Sequence, residues 1–361
     1  MKIKFLKRIK AGFSRRLGHR KFMASLGDRG THPRRLIAYL PTAQQGWILD
    51  FLWRDLCQEL ALIDRVDSGL ASSPEDLYRQ CKGHDVMVVA MGLKFLNELI
   101  SLGFPPDRII FYHTHVRLGL DIKKLDLLHA VLVLNSFEGE LVCMRKVKKS
   151  RIHRFPAGYC QSLFSLPLSS QSRPIDVLFV GRYRQGKNGY YHKRKRYDFQ
   201  VALAHRLLER GFTVAFLGNE WDRCEYPLDS KLKIINAPHR QYPEIYQQSR
   251  MVCSVSGQEG GPVSFLEGMA CGCLLLSAPT GFITDLKLSD VACWTMPLLS
   301  SEMLWAEEIA RILHDHPCVT EREQARREQY LADAQFRTLA QQLIQIAWPS
   351  DHSTNVLAAH E

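Results

Sequence analysis

Short apolar runs alternate with amphipathic stretches along most of this chain. Runs such as "RLIAYLP", "DVMVVAM" and "DVLFVG" are almost continuously apolar, which is typical of strands that are covered on both faces in a parallel sheet. Between them lie stretches with helical periodicity, such as "WILDFLWRDLCQELA" and "DFQVALAHRLLERG". The alternation therefore predicts an α/β fold with doubly wound, Rossmann-like parallel sheets.

The alternation falls into two blocks, and a chain of 361 residues is long enough for two domains. A Ser/Pro-rich stretch without periodicity, residues 165–174, predicts a linker. It separates an N-terminal domain over 35–164 from a C-terminal domain over 175–316. We expect a C-terminal helix over 317–349 and a loose tail over 350–361. Two such sheets in tandem predict a ligand site at the carboxyl ends of the strands, in a central cleft that both domains face.

The net charge of +11 comes from the N-terminal end. Residues 1–35 contain twelve of the 48 Lys and Arg residues but only one of the 37 acids, so the rest of the chain is balanced. Within the segment 1–34, Phe5, Ile9, Phe13 and Leu17 recur every four residues among Lys and Arg. A helix with this pattern would be basic and amphipathic, and we expect residues 1–26 to bind an anionic membrane surface. A disordered basic tail, a nucleic-acid arm and a transit peptide are the alternatives.

Other features predict a cytoplasmic protein, peripheral on the inner face of the membrane. The sequence has no run of eighteen apolar residues and no continuous apolar segment typical of a signal peptide. Its ten cysteines are scattered, as reduced thiols usually are. The sequence has no Asp-x-Asp pair at a strand end that would predict a metal site. We expect neither a cofactor nor a nucleic-acid partner.

The stretch "EGGPVSFLEGMACG", residues 259–272, looks like a loop that opens into a helix. Gly260 and Gly261 allow the backbone to approach a ligand, and Pro262 suits the first helical position. The free N–H groups of Gly261, Val263 and Ser264 would then form an anion site suited to a diphosphate.

Two carboxylates, Glu259 and Glu267, flank this helix start. A carboxylate repels phosphate, so its use beside a diphosphate is to accept hydrogen bonds from sugar hydroxyls. We expect Glu267 to reach a ribose diol and Glu259 to lie near the group beyond the second phosphate. The alternative is a capped surface helix in which Glu259 offsets the helix dipole and Glu267 is solvated.

The segment "SGQEGGPVSFLEGMACGCLLLSAPTG" resembles the signature of retaining, family-4-type glycosyltransferases (glycosyl transferases group 1) of the GT-B fold. The resemblance implies that Arg182 and Lys187, in "DVLFVGRYRQGK", grip the diphosphate. Because "NGYYHKRKRYD" is inserted after them, Lys193 and Lys195 are alternatives to Lys187. The alternative to phosphate binding by "HKRKR" is a solvated loop or a nucleic-acid patch.

In "RIIFYHTHVRLGLD" the resemblance implies a histidine that faces the donor sugar at a strand end. His115 fits this position better, and His113 lies one step earlier on the same side of the strand. A single histidine would more often be structural. The resemblance also implies that "HAVLVLNSFEGELVCMRKVKKSRIHRF" closes the N-terminal domain.

The function implied is transfer of a sugar from a nucleotide sugar to a glycan or lipid-linked glycan acceptor, with retention and without metal. The catalytic residues would be His115, His113, Glu259 and Arg182. The nucleotide-sugar-binding residues would be Arg182, Lys187, Gly260, Gly261, Pro262, Val263, Ser264 and Glu267. The alternatives are a sugar-nucleotide epimerase or hydrolase, and a catalytically silent, membrane-associated protein that binds a sugar or polyanion.

Overall fold

A computed structural model of the chain describes residues 18–20, 22–40, 48–63, 66–113, 122–144, 147–167, 172–186, 189–286 and 291–349. The chain divides into two compact units. The first unit contains Met1–Phe155 together with Phe336–Glu361, and the second contains Pro156–Gln335.

The first unit is built on a parallel sheet in the order β2-β1-β3-β4-β5-β6. Its strands are β1 (Arg34–Tyr39), β2 (Val66–Ala71), β3 (Asp85–Ala90), β4 (Ile109–His113), β5 (Ala130–Val133) and β6 (Ile152–Arg154). Its helices include α1, of which residues 18–20 and 22–25 are described, α2 (Ile48–Leu60), α3 (Pro74–Cys81), α4 (Leu93–Leu102) and α5 (Ser136–Met144). Every residue of β3, β4 and β5 is buried, as the apolar runs predict.

The second unit has a parallel sheet in the order β12-β11-β10-β7-β8-β9. Its strands are β7 (Ile175–Val180), β8 (Val214–Leu217), β9 (Lys233–Ile235), β10 (Ser249–Ser254), β11 (Leu274–Ser277) and β12 (Cys293–Thr295). Its helices are α6 (Tyr190–Lys195), α7 (Tyr197–Glu209), α8 (Tyr242–Gln247), α9 (Val263–Ala270), α10 (Glu302–Asp315) and α11 (Glu321–Ala332). The order reverses between β7 and β10, which are neighbours in the sheet although β8 and β9 lie between them in the sequence.

The two predicted α/β domains with parallel sheets are confirmed. Apolar side chains from both sides of each sheet form the cores. The core of the first unit contains Ile37, Val88 and Phe111, and the core of the second contains Val177, Phe216 and Met251.

The single helix predicted over 317–349 is wrong, because two helices occupy this range: α11 and α12 (Phe336–Ala347). Between them Gln335 pairs with Tyr159 as an isolated bridge, and the Tyr159 N–H donates to the Ala334 carbonyl at 3.2 Å. These pairings require non-helical backbone. After the break α12 packs against α2 in the first unit, where Leu339 and Leu343 are buried.

The expected linker over 165–174 does not coincide with the division between the units, which falls at Phe155 and Pro156. Arg173 donates to the carbonyls of Ser249 (2.6 Å) and Cys271 (2.9 Å). The Ser165 carbonyl accepts a hydrogen bond from Gln247 at 2.9 Å. These contacts hold both ends of the segment against the second unit.

The predicted basic segment 1–34 is only partly separate from the first unit. Phe22 of α1 is buried, and its ring lies 5.0 Å from Phe104 and 5.9 Å from Tyr78. Residues 1–17, which carry most of the amphipathic pattern, lie outside the described residues. In the part of the chain that is described, no helix is long and apolar enough to cross a membrane.

Candidate active site

Two loops of the second unit leave the sheet at the point where its strand order reverses. Arg182 follows β7, and Glu259 follows β10. These strands are neighbours, so both loops begin at the same edge of the sheet. Diverging loops at such a reversal leave a crevice, which is where parallel α/β sheets bind ligands.

The loop after β7 is pressed closely against the loop after β8. Gly218 has φ +141°, and a Cβ atom there would lie 2.4 Å from the Gly181 carbonyl oxygen. The same carbonyl accepts a hydrogen bond of 2.7 Å from the indole of Trp221. Only glycine fits at position 218, and the tight packing fixes where Arg182 leaves the strand.

Arg182 makes a two-pronged ion pair with Glu220. Its Nε and Nη2 donate to the two carboxylate oxygens at 2.9 and 2.6 Å. The hydrogen bonds with Arg182 lower the pKa of Glu220, and Glu220 raises the pKa of Arg182. Both side chains are partly exposed, so the pair orients the guanidinium more than it stabilises the fold.

The inserted segment forms helix α6, which docks on the loop after β10. The Gly257 N–H donates to the Arg194 carbonyl at 2.8 Å, and the Tyr190 hydroxyl donates to Gln258 Oε1 at 3.0 Å. Arg196, between α6 and α7, has the left-handed φ of +53° that turns the chain between the two helices. The insertion therefore brings its basic residues to the loop that carries Glu259.

Glu259 is held by two cations of α6. Its carboxylate accepts a hydrogen bond from Nζ of Lys195, and Nη1 of Arg194 lies 3.8 Å from its other oxygen. The Glu259 side chain is only 9% exposed. Burial would raise the pKa of Glu259, but the charges of Lys195 and Arg194 outweigh burial and lower it. Glu259 is therefore an ionised acceptor at a fixed position.

Helix α9 begins directly after this loop, one residue later than the sequence indicated. Pro262 is the N-cap residue, with φ −70° and ψ 105°, rather than the first helical residue. Among the described residues, the N–H groups of Val263 and Ser264 have no backbone partner. A Cβ atom on Gly261 would lie 2.8 Å from the Phe282 ring, so that glycine permits close packing. A helix start thus follows the two glycines, and its use as an anion site stays a prediction.

Glu267 lies on the buried face of α9 and is 3% exposed. Nε2 of His239 hydrogen-bonds one carboxylate oxygen at 2.6 Å, and the Tyr246 hydroxyl donates to the other at 2.7 Å. Burial and the Glu267 charge raise the pKa of Tyr246, which keeps its hydroxyl protonated as a donor. The carboxylate is thus anchored beneath the helix and is not solvated.

His113 ends β4 in the first unit and is buried. Its Nδ1 lies 3.5 Å from Oε2 of the fully buried Glu138, near the start of α5. Within the described residues neither ring nitrogen of His113 has a hydrogen-bond partner, and neither does Oε1 of Glu138. His115 lies outside the described residues.

Of the three candidate lysines, the structure brings Lys195 to Glu259. Lys193 is exposed, and Lys187 lies outside the described residues. The sequence analysis missed Arg194, Glu220, His239 and Tyr246. No motif marks them, although the basic insertion was a signal for Arg194. Across the described part of the chain, no three His, Cys, Asp or Glu side chains form a group that could hold a metal ion.

The sequence around the candidate site is similar to a known protein family. Residues 168–330 match the family model of glycosyl transferases group 1. The matched residues are less than half of the chain, and they include Arg182, Glu259 and the start of α9. No protein of curated function matches the sequence.

The fold of the whole chain is similar to solved structures at low sequence identity. Sucrose-phosphate synthase from Thermosynechococcus elongatus has a TM-score of 0.65 at 15% identity, over 87% of this chain and 98% of that one. A glycosyltransferase from Rickettsia africae has 0.66 at 12% identity, over 87% and 97%. Anabaena HepE in complex with UDP-glucose has 0.58 at 15% identity, over 86% and 98%. The two six-stranded parallel sheets and these neighbours place the fold in the GT-B class.

Proposed function

We propose that the protein is a glycosyltransferase that moves a sugar from a nucleotide sugar to an acceptor hydroxyl. One observation carries the proposal. An ionised, nearly buried Glu259 is held by Lys195 beside the start of α9, at the strand-order reversal in the part of the chain that matches glycosyl transferases group 1. If Glu259 only offset the dipole of a surface helix, its carboxylate would not need to be buried.

The cations and helix start suit a leaving nucleoside diphosphate. Charge builds on the diphosphate as the glycosidic bond breaks, and fixed positive groups stabilise it there. Arg182 is oriented by Glu220, and the N–H groups of Val263 and Ser264 add partial positive charge. These groups supply the role that a divalent ion plays elsewhere, and we propose that transfer needs no metal or other cofactor.

The proposed role of Glu259 is to accept hydrogen bonds from hydroxyls of the transferred sugar. When the diphosphate binds, Lys195 can turn from Glu259 to the phosphates, because its flexible stem carries a single compact charge. Lys195 is therefore our choice over Lys187 and Lys193 for the second phosphate-binding cation. Gly260, Gly261 and Pro262 shape the backbone beneath the phosphates.

We propose, as the sequence predicts, that Glu267 accepts hydrogen bonds from the ribose diol of the nucleotide. His239 and Tyr246 use one lone pair on each oxygen, and each carboxylate oxygen can accept a second hydrogen bond. The internal network would then fix the carboxylate in position for the ribose.

We also propose that His115 and His113 of the first unit contact the donor sugar. The unpaired ring nitrogens of His113 mark it as a buried donor or acceptor that lacks a partner among the described residues. Retention of anomeric configuration remains part of the proposal.

The neighbours support a choice of donor class. HepE has been solved with UDP-glucose, and the pneumococcal transferase GtfA with UDP and GlcNAc. We propose a UDP-sugar donor and a glycan or lipid-linked glycan acceptor. We further propose that the basic N-terminal residues 1–26 hold the enzyme on the cytoplasmic face of an anionic membrane.

A panel of nucleotide sugars tests the proposal. With purified protein, we expect one donor to release nucleoside diphosphate in a reaction that requires a glycan acceptor. Release without acceptor would indicate a hydrolase, and a change in the sugar with the nucleotide still attached would indicate an epimerase. Donor binding without turnover across a broad acceptor set would indicate a silent binding protein.

A further inference from the structure

We propose that the amino edge of the first sheet is the surface that docks on an anionic lipid bilayer. This inference rests on the proposed membrane association and says where on the fold the membrane binds. We call the region the amino-edge surface, and it consists of Met23, Leu127, Met144, Lys148, Lys149 and Arg151.

Three large apolar side chains on this surface are exposed. Met23 is 51% exposed, Leu127 59% and Met144 81%. Phe22 beside Met23 and Leu128 beside Leu127 are buried in the core, so the backbone at these two positions is fixed while both side chains face solvent. Apolar side chains at the rim of a basic surface can enter the boundary between headgroups and acyl chains.

Direct contacts join Leu127 to the basic turn before β6. Arg151 closes a 3₁₀ turn over Lys149–Arg151. Its Nη1 donates to the carbonyl of Asp126 and, at 2.9 Å, to that of Leu128. Leu127 lies between these two residues in the sequence, so the Arg151 guanidinium holds the turn that carries its exposed side chain.

Further contacts extend the surface to α1. The His129 N–H donates to the Pro106 carbonyl at 3.2 Å, which ties the Leu127 turn to the turn before β4. There Asp107 pairs with Arg29 at 2.9 Å, a few residues after α1. Met23 on α1 is thus connected to the basic turn through the starts of β4 and β5.

The surface has the charge that an anionic membrane attracts. Lys148 and Lys149 are exposed on the turn between α5 and β6, and Arg151 is partly exposed beside them. The neutralised Asp107 and the exposed Asp126 are the nearest acids on these turns. Each Lys or Arg near an anionic bilayer favours binding by about fivefold.

The basic N-terminal segment joins the fold at the same edge. His19 at the start of α1 hydrogen-bonds the Gly103 carbonyl at 3.1 Å, just past the end of α4 and before β4. Residues 1–17 carry seven Lys and Arg residues and no Asp or Glu residue. This basic sequence precedes His19, which contacts the fold at the edge that carries the exposed apolar and basic side chains, and an anionic membrane is the partner that both features fit.

Co-sedimentation of the full-length protein with vesicles tests the inference. We expect binding to phosphatidylcholine mixed with phosphatidylglycerol and much weaker binding to phosphatidylcholine alone. The pair Lys148→Ala/Lys149→Ala should weaken binding to the anionic vesicles about thirtyfold. The matched pair Lys231→Ala/Lys233→Ala, exposed lysines of the second unit, should bind like the wild type.

A further variant separates the surface from the N-terminal segment. If Lys4→Gln/Lys7→Gln loses binding while Lys148→Ala/Lys149→Ala retains it, the amino-edge surface is not the docking site and the membrane association stands. If the wild type shows no preference for anionic vesicles, both the docking surface and the membrane association are overturned.

The variant Leu127→Ser/Met144→Ser should also weaken binding to anionic vesicles. Unchanged binding in this variant would contradict the role of the apolar side chains. Donor-dependent release of nucleoside diphosphate in solution should be unaffected by these variants, so failure here is distinct from failure of the proposed transfer.

Discussion

At the scale of single residues, the candidate site depends on how Glu259 is paired. The sequence showed the carboxylate and the helix start, but it could not choose among three lysines, because an insertion moves the chain by an unknown path. The structure brings Lys195 to Glu259 and leaves Lys193 exposed. The choice is a matter of helix phase within α6, which no motif encodes.

Replacing Lys195 by Ala should lower kcat about hundredfold or more, because the positive charge that turns to the leaving diphosphate is lost. Lys193→Ala, two positions away on the same helix and exposed, is the control and should retain wild-type turnover. Steady-state kinetics with the preferred donor measures both. Equal rates for the two variants would contradict the role of Lys195.

The pKa of Glu259 gives a pH prediction. Because the folded state holds this pKa below its ordinary value of 4.5, the ion pair stabilises the protein above that pH and is lost as pH falls through the folded pKa. In Lys195→Met the pKa of Glu259 should rise, so stability should begin to fall at a higher pH than in the wild type. Urea unfolding across the acid range measures this, and superimposable pH profiles would contradict the pairing.

Tyr246→Phe should destabilise the second unit by about 1–3 kcal/mol, because it leaves one oxygen of the buried Glu267 without its hydroxyl donor. Tyr242→Phe, a nearby tyrosine whose ring contacts Tyr246, is the control, since no hydrogen bond joins its hydroxyl to Glu267 within the described residues. Chemical denaturation compares the two. Equal midpoints would show that the network does not anchor the carboxylate.

At the scale of elements, the apolar runs predicted the strands well, because burial on both faces leaves little choice of side chain. The helices were less predictable where tertiary pairing interrupts them. The range 317–349 has helical periodicity throughout, but the bridge between Gln335 and Tyr159 breaks it into α11 and α12. Helix α6 could not be predicted from the sequence for a related reason. Its sequence is mostly charged, and its packing on the Gly257 loop determines its position.

The loops after β7 and β8 supply a prediction at this scale. Gly218→Ala should destabilise the second unit by about 1–3 kcal/mol and reduce turnover, because the new methyl would meet the Gly181 carbonyl and displace Arg182. Gly211→Ala is the control, since Gly211 also has a positive φ, of +85°, but open space around it. We expect the control to lose stability without losing turnover. Normal kinetics in Gly218→Ala would show that the tight loop contact is not needed.

At the scale of the whole molecule, the α/β class and the presence of two domains followed from the sequence, whereas the boundaries did not. A Ser/Pro-rich stretch indicates a linker only if nothing binds its backbone, and here Arg173 and Ser165 contact the second unit. The last helix returns to the first unit because its apolar stripe packs on α2, a pairing distant in sequence. Residues 1–17, His115 and Lys187 lie outside the described part of the chain, so their roles stay predictions.

The most direct test of the central claim is calorimetric titration of UDP into the wild type, Arg182→Ala, Lys195→Ala and the control Lys193→Ala. Binding by cations at the strand-order reversal predicts that Arg182→Ala and Lys195→Ala each weaken affinity at least about tenfold, since a hydrogen bond to a charged group contributes about 1.5–3 kcal/mol. Lys193→Ala should bind like the wild type. Wild-type affinity in both Arg182→Ala and Lys195→Ala would contradict the account.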